Sequence, residues 1–311
     1  MPNANSGTDA PAPALPRLRA EQLGAHSWYL HGEAGPASRS NFGFNSNAGF
    51  VVTSDGVVAF DALGTPALGR QMLEAIHAVT DQPVRMLVIS HYHADHFYGT
   101  EPFRTAGTRV VALDLGREAW HSERSLARLA QRRADLSPWV DADTKLRGAD
   151  DWVHVPVGKT LHFSVGDVDF DFVPGAGAHT PEDLMLYCEQ DGVLFAGDVF
   201  FSGRIPYVGD ANTGAWLAAL DGVAATHAQI VVPGHGPATH EVSQEVVITR
   251  KYLLYLREVM GKAARDMTNF DQAYRQADWS AWSSLPAFAE ANRINAYGVY
   301  LEMEQEALAR P

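Results

Sequence analysis

Residues 91–96 read His-Tyr-His-Ala-Asp-His, which puts three imidazoles and a carboxylate on one short stretch. Such groups are costly to bury unless they are paired or bound to a metal. Nitrogen and oxygen donors at this density suit a transition ion such as zinc. His91, His93 and Asp95 are spaced two apart, and His96 follows directly. On a tight loop, His91 and His93 can face one ion while Asp95 and His96 face another.

Three further candidates stand downstream, each after an apolar run and beside glycine. His179 follows Gly175 and Gly177, Asp198 follows Gly197, and His235 lies between Gly234 and Gly236. Glycine permits the sharp turns that such strand-end positions need. Asp61 ends the apolar run Val57-Val58-Ala59-Phe60 in the same manner.

The elements that must carry these residues are short and mostly extended. Period-two and continuous apolar runs predict strands at 27–31, 49–53, 57–60, 84–89 and 109–112, then at 159–163, 168–173, 184–188, 193–196 and 229–232. Helical periodicity predicts helices near 66–79, 115–133 and 213–226. Asp-Gly at 55–56 and at 191–192 each joins two apolar runs and predicts a hairpin. Two strand sets with helices between them predict an α/β protein of two sheets packed face to face, helices outside. After residue 240 strand signals stop, and 240–265, 269–279 and 286–308 look helical. This extension is too apolar for a linker and is expected to pack on the main domain or on a partner subunit, a homodimer through these helices being one form.

Bulk properties narrow the function. The chain has 311 residues and a net charge of −13, which argues against a nucleic-acid partner. No apolar run approaches the ~20 residues of a membrane span. Cys188 is the single cysteine, so no intrachain disulfide forms. The Ala/Pro-rich start reads as a flexible tail over 1–24 without the pattern of a signal peptide. A cytoplasmic site is expected, or a periplasmic one if a signal peptide has been removed.

In its ligand pattern the chain resembles the metallo-β-lactamase-fold hydrolases. His-x-His-x-Asp-His at 91–96, the later His179, Gly197-Asp198 and Gly234-His235-Gly236 occur in the family's order, over roughly residues 25–240. The resemblance implies a four-layer αββα sandwich carrying a helical C-terminal extension over 241–311. It also implies two metal ions per chain, zinc with iron or manganese as alternatives. His91, His93 and His179 would hold the first ion. Asp95, His96 and His235 would hold the second, and Asp198 would bridge both. Asp61 would orient the ligand loop, and Asp95 would also act catalytically on a hydroxide formed between the ions.

Segments 46–50 and 209–216 resemble the corresponding parts of class B β-lactamases. Those enzymes usually have cysteine where this chain has Asp198, and commonly a lysine where it has Phe201; Arg204 is the available substitute for that charge. Aspartate at this position is usual in hydrolases of thioesters, lactones and phosphoesters. The stretch 295–304 resembles members encoded with quinoprotein and sulfur-oxidation systems. The expected activity is zinc-dependent hydrolysis of an ester, thioester or lactam-like carbonyl in a small molecule. The alternatives are a weak β-lactamase and an iron-dependent oxidoreductase similar to persulfide dioxygenases. Residues 33–46 would form a flap over the metals, with Phe42, Phe44, Phe201, Arg204 and Tyr207 as cleft residues.

Overall fold

A computed structural model describes residues 15, 17–209 and 211–309. Its strands are β1 (Glu21–Gln22), β2 (Ser27–Leu30), β3 (Ala48–Thr53), β4 (Gly56–Phe60), β5 (Val84–Val88), β6 (Arg109–Leu113), β7 (Asp151–Val153), β8 (Leu161–Val165), β9 (Val168–Pro174), β10 (Leu184–Cys188), β11 (Val193–Phe201) and β12 (Ile230–His235). The helices are α1 (Pro66–His77), α2 (Ala94–Phe97), α3 (Thr100–Thr105), α4 (Glu123–Asp135), α5 (Thr213–Ala225), α6 (Val242–Arg265), α7 (Phe270–Gln276) and α8 (Phe288–Ala309).

The strands form a seven-stranded sheet in the order β1-β2-β3-β4-β5-β6-β7 and a five-stranded sheet in the order β12-β11-β10-β9-β8. Alternation along each strand sorts the apolar residues into three layers. Val51, Val58 and Phe60 meet Phe170, Leu186 and Phe195 between the sheets, with Cys188 buried among them. Phe50, Val57 and Ala59 face the outside of the first sheet, where Leu68, Met72 and Phe103 of α1 and α3 cover them. Leu194 and Ala196 face the outside of the second sheet and pack with Trp216, Tyr252, Leu256 and Val299 of α5, α6 and α8. The result is the αββα sandwich.

Both predicted hairpins form, joining β3 to β4 and β10 to β11 in antiparallel pairs. Several boundaries move for local reasons. The strand expected at 159–163 runs from 161 to 165, because Lys159 N–H bonds Pro156 O in a turn and Gly158 has φ +74°. The helix expected from 115 begins at 123, where the Ser122 hydroxyl accepts the Ser125 N–H; short 3₁₀ turns occupy the preceding residues. The strand expected to end at 196 continues to Phe201, its pairing with β12 carried past Gly197 by two register shifts. Asp198 is therefore inside a strand rather than beyond one. β1, β7, α2 and α3 are too short for periodicity to show. Of the expected tail, residues 1–14 and 16 lie outside the described residues, while Leu18 is buried and β1 pairs with β2.

The C-terminal helices lie close to the sheet's functional end. Asn295 accepts Val208 N–H at 2.8 Å and donates to Pro206 O at 2.8 Å and to the Tyr252 hydroxyl at 2.9 Å. Glu302 accepts the N–H and hydroxyl of Thr213 at 2.9 and 2.6 Å. These bonds fix Pro206, Val208 and Thr213 to α8. Ile294, Tyr297, Leu301 and Leu308 stay exposed on that helix.

Candidate metal centre

β4 and β5 deliver their C-terminal ends to one edge of the sandwich. The chain leaves β5 at Ser90 and turns through His91–His93 into α2, which carries Asp95 and His96. The second sheet brings His179 from the loop after β9, Asp198 from β11 and His235 from the end of β12. Leu184 N–H bonds Ser90 O at 2.9 Å and links the sheets beside the site. Asn47, just before β3, donates to Pro233 O and Gly236 O at 2.8 and 2.7 Å, anchoring the loop that holds His235.

The donor atoms gather in two groups, His91–His93–His179–Asp198 and Asp95–His96–His235, with each group's atoms within 4.8 Å of one another. Asp198 joins them. Its Oδ2 lies 3.3 Å from His179 Nε2 and 3.8 Å from His91 Nε2. Its Oδ1 lies 3.2 Å from His96 Nε2 and 3.4 Å from His235 Nε2. His93 Nδ1 and His179 Nε2 are 2.9 Å apart, and Asp95 Oδ2 is 3.4 Å from His235 Nε2. Gly234 is required here by space: a Cβ on it would meet Asp198 Oδ1 at 1.9 Å.

The outer nitrogens are fixed by the protein. Asp61 Oδ2 sits 2.7 Å from His96 Nδ1, while its Oδ1 accepts Ser90 N–H at 2.8 Å. The Ser90 hydroxyl donates to Asp61 Oδ2 at 2.8 Å and lies 2.9 Å from His91 Nδ1. His235 Nδ1 lies 2.6 Å from Asn45 O and donates to it. Asp183 accepts His179 N–H at 2.6 Å and the Thr180 hydroxyl at 2.7 Å. Asp61 holds φ at +58°, a left-handed value uncommon outside glycine, and its bonds to Ser90 and His96 over-determine that conformation.

The inward atoms are the test of fit for metal. His91 Nε2, His96 Nε2 and Asp198 Oδ1 are buried with no hydrogen-bond partner, although nearly all buried polar atoms find one. Imidazole nitrogens and carboxylate oxygens are the donors zinc takes. The charge balance agrees. Burial pushes the His91 and His93 imidazoles well below their usual pKa, and holds His179 down at about 4, so these rings are uncharged, the form in which imidazole binds a metal. Burial acts to raise the carboxyls of Asp95 and Asp198, but the imidazoles of His235 and His96 outweigh it and keep both ionised. Burial also acts against charge on His96, yet Asp198 and Asp61 raise it well above the usual range. Positive charge is therefore favoured at the centre.

A cavity of about 480 Å³ opens over the site, with His93, Asp95, Asp198 and His235 in its floor. Arg204 and Tyr207 line its wall. The three phenylalanines are not among its lining residues. Phe42 packs edge-on against Trp139 at 5.1 Å, Phe44 turns toward the core, and Phe201 stacks on His235 at 5.3 Å. The flap contributes Pro36, Ala37 and Asn45 instead. Sequence reasoning missed the rest of the wall: Arg128, Gln131 and Arg132 from α4, and Ala287, Glu290, Ala291 and Ile294 from the start of α8. It also missed Ser90 and Asp183, for which adjacency to His91 and to Thr180 was the available signal. Asp210, in a segment that resembles the lactamases, lies outside the described residues.

Curated relatives match about two thirds of the chain. A metallo-beta-lactamase type 2 from Bacillus sp. strain 170 is 25% identical over 226 residues, 69% of this chain and 75% of the relative. A linear primary-alkylsulfatase from Pseudomonas sp. is 22% identical over 67% of this chain and 45% of its own length. Among solved structures, a metallo-beta-lactamase from Pontibacter korlensis superposes with TM-score 0.57 and 20% identity, covering 76% of this chain and 99% of its own. A stereoselective inverting sec-alkylsulfatase from Pseudomonas sp. superposes with TM-score 0.71 and 16% identity, covering 94% of this chain and 52% of its own. The 6% of 311 residues left unmatched there, about 19, is far fewer than the residues from 241 to 311, so that fold likeness includes most of the C-terminal helices. The sequence model of the Metallo-beta-lactamase superfamily matches residues 41–235, the span that holds all seven donors, and the chain belongs to that superfamily.

Proposed function

We propose that the chain is a binuclear zinc hydrolase that cleaves an ester, thioester or lactam-like carbonyl bond in a small molecule. The observation that carries this reading is Asp198, whose two carboxylate oxygens face the two donor groups separately. His91, His93, His179 and Asp198 would hold one ion, and Asp95, His96 and His235, with Asp198, the other. The bound ions would supply an acidified water and an electrophile for the carbonyl oxygen. The residues do the rest. Asp95 sits in the cavity floor, its Oδ2 held by Asn45 Nδ2 at 3.0 Å, where it can take a proton and pass it to the leaving group. Asp61 and Ser90 keep the imidazoles of His96 and His91 turned inward.

A second reading, hydrolysis of an alkyl sulfate, is favoured by the fold likeness to the sec-alkylsulfatase, which covers most of the C-terminal helices, the element that supplies part of the cleft wall. Turnover of β-lactams is expected to be weak. Phe201 leaves no charge at the position three after Asp198, and Arg204, only 8% exposed, is the nearest substitute.

The test is metal analysis of the purified chain together with turnover of nitrocefin, a glutathione thioester, a homoserine lactone, a bis-phosphoryl ester and an alkyl sulfate. Two zinc ions per chain and turnover of an ester or thioester support the reading. One iron per chain with oxygen uptake would overturn it.

A further inference from the structure

We infer that Arg128 and Arg132 of α4 form an oxyanion-binding site in the cleft wall, so that the compound entering the cleft carries a carboxylate or sulfo group held by these two guanidinium groups. Naming that compound a substrate rests on the hydrolase reading above; the binding site itself does not.

The two arginines are four residues apart, on one face of a helix, with Gln131 beside them, and all three line the cavity. Both are half-buried. Elsewhere the chain's arginines tend to hold carboxylates: Arg104 with Asp150, Arg109 with Asp151, Arg250 with Asp221, Arg257 with Glu302 and Arg293 with Asp271. In a chain with 37 acidic against 24 basic residues such partners are easy to find. Arg132 nevertheless has no ion pair or side-chain hydrogen bond among the described residues, and Arg128 only spans the Tyr92 ring at 5.9 Å.

Outside the ligand set, the charges of the cavity do not cancel. Asp95 and Asp198 belong to the ligand set. The remaining charged lining groups are Arg128, Arg132 and Arg204 against Glu290. Arg204 is committed to Ile205 O at 3.3 Å and lies 3.4 Å from His235 Nδ1. The two α4 arginines are left over, at the mouth of a pocket where cations are otherwise needed only by the metal ligands. Guanidinium forks match the planar edge of a carboxylate or two oxygens of a sulfo group. Pro36, Ala37, Ala287, Ala291 and Ile294 supply apolar wall for the remainder of the molecule. The fitting ligand is therefore an amphiphilic anion.

The test uses the zinc-loaded full-length chain and calorimetric titration with 4-phenylbutyrate, 3-phenylpropane-1-sulfonate and the neutral 4-phenylbutyramide. The oxyanions should bind about tenfold more tightly than the amide, as charge-assisted pairing predicts. In the Arg128→Gln, Arg132→Gln double variant that preference should fall to about twofold or less, with zinc content and Tm unchanged. Arg132→Gln alone should lose part of it, and replacement of both by lysine should retain part. The proposal is overturned if the parent shows no preference, if the double variant keeps it, or if it disappears only together with zinc. Preference for the sulfonate over the carboxylate would identify the sulfo group as the ligand chemistry, and the reverse the carboxylate. Turnover is scored separately. An intact preference with no hydrolysis of any ester sinks the hydrolase reading and leaves this site, whereas hydrolysis without the preference does the opposite.

Discussion

The floor and the wall of the cleft are put together by different means. In the floor, His91, His93, His96, His179, Asp198 and His235 are all buried, and Asp61, Ser90, Asn45 and Asp183 orient them or their loops through bonds of 2.6–2.9 Å. In the wall, Ile294 is 51% exposed and the Arg132 side chain makes no ion pair or hydrogen bond among the described residues. The floor residues come from both sheets, from the loop after β5 and α2 in the first and from the loop after β9, β11 and the end of β12 in the second. The wall residues ride on α4, on residues 36–45, on the stretch holding Arg204 and Tyr207, and on the start of α8. The proposed two-metal centre would need donors held to a few tenths of an ångström, whereas substrate selection would need only a surface of the right shape and charge. The division lets one change without the other.

Substitutions in the floor should have the largest effects. Replacing Asp95 or His93 with alanine should lower kcat roughly 10²–10⁴-fold and release at least one metal ion per chain, read by steady-state kinetics and elemental analysis. Normal turnover by Asp95→Ala would show that its carboxylate has no part in the reaction. One layer out, Asp61→Ala should weaken metal binding about 10–100-fold in chelator competition, because His96 and the Ser90 turn lose their common anchor. An unchanged metal affinity would assign Asp61 to folding alone.

A third measurement concerns the back of the ligand loop. Glu182 accepts Tyr92 N–H at 2.9 Å, and burial raises its carboxyl to about 7. The folded state thus binds this proton more tightly than the unfolded chain, whose value is near 4.5. The stabilisation is complete below pH 4.5 and is lost as pH rises to 7, at most about 3 kcal/mol. Chelated Glu182→Gln protein should lack this decline in denaturant titrations at pH 5 and 7.5. A parallel decline in parent and variant would remove Glu182 as its cause.

The wall should respond weakly and differently. Asn295→Ala, which frees Val208 N–H and Pro206 O behind the cleft, should cost about 2 kcal/mol of stability, seen as a lower Tm, with metal content unchanged. Ile294→Ala should raise KM a few-fold and leave kcat and metal alone. A metal loss in either variant would mean that the extension supports the centre itself, contrary to the division drawn here.

Sequence carries the floor because its chemistry is expensive. Imidazoles and carboxylates next to glycine at strand ends have few other uses, so His91, His93, Asp95, His96, His179, Asp198 and His235 could be picked out one by one, and the alternating apolar runs gave the two sheets. Wall residues carry no such mark. Arg128 and Arg132 look like any solvent-facing arginines on a helix, and Phe42 and Phe44 look like a cleft lining until Trp139 and the core claim them.

What the linear chain determined by itself was local and periodic: strand spacing, hairpin turns, and donors too costly to bury without an ion. What only the folded molecule decided was convergence. The resemblance already gave Asp198 to both donor groups, but only the pairing of β11 with β12, with Gly234 leaving room for the carboxylate, sets its two oxygens against them. The placing of α4 and α8 over the cavity, likewise, follows from packing of helices against opposite outer faces of two sheets, and such long-range packing leaves no period or motif in the residues that meet there.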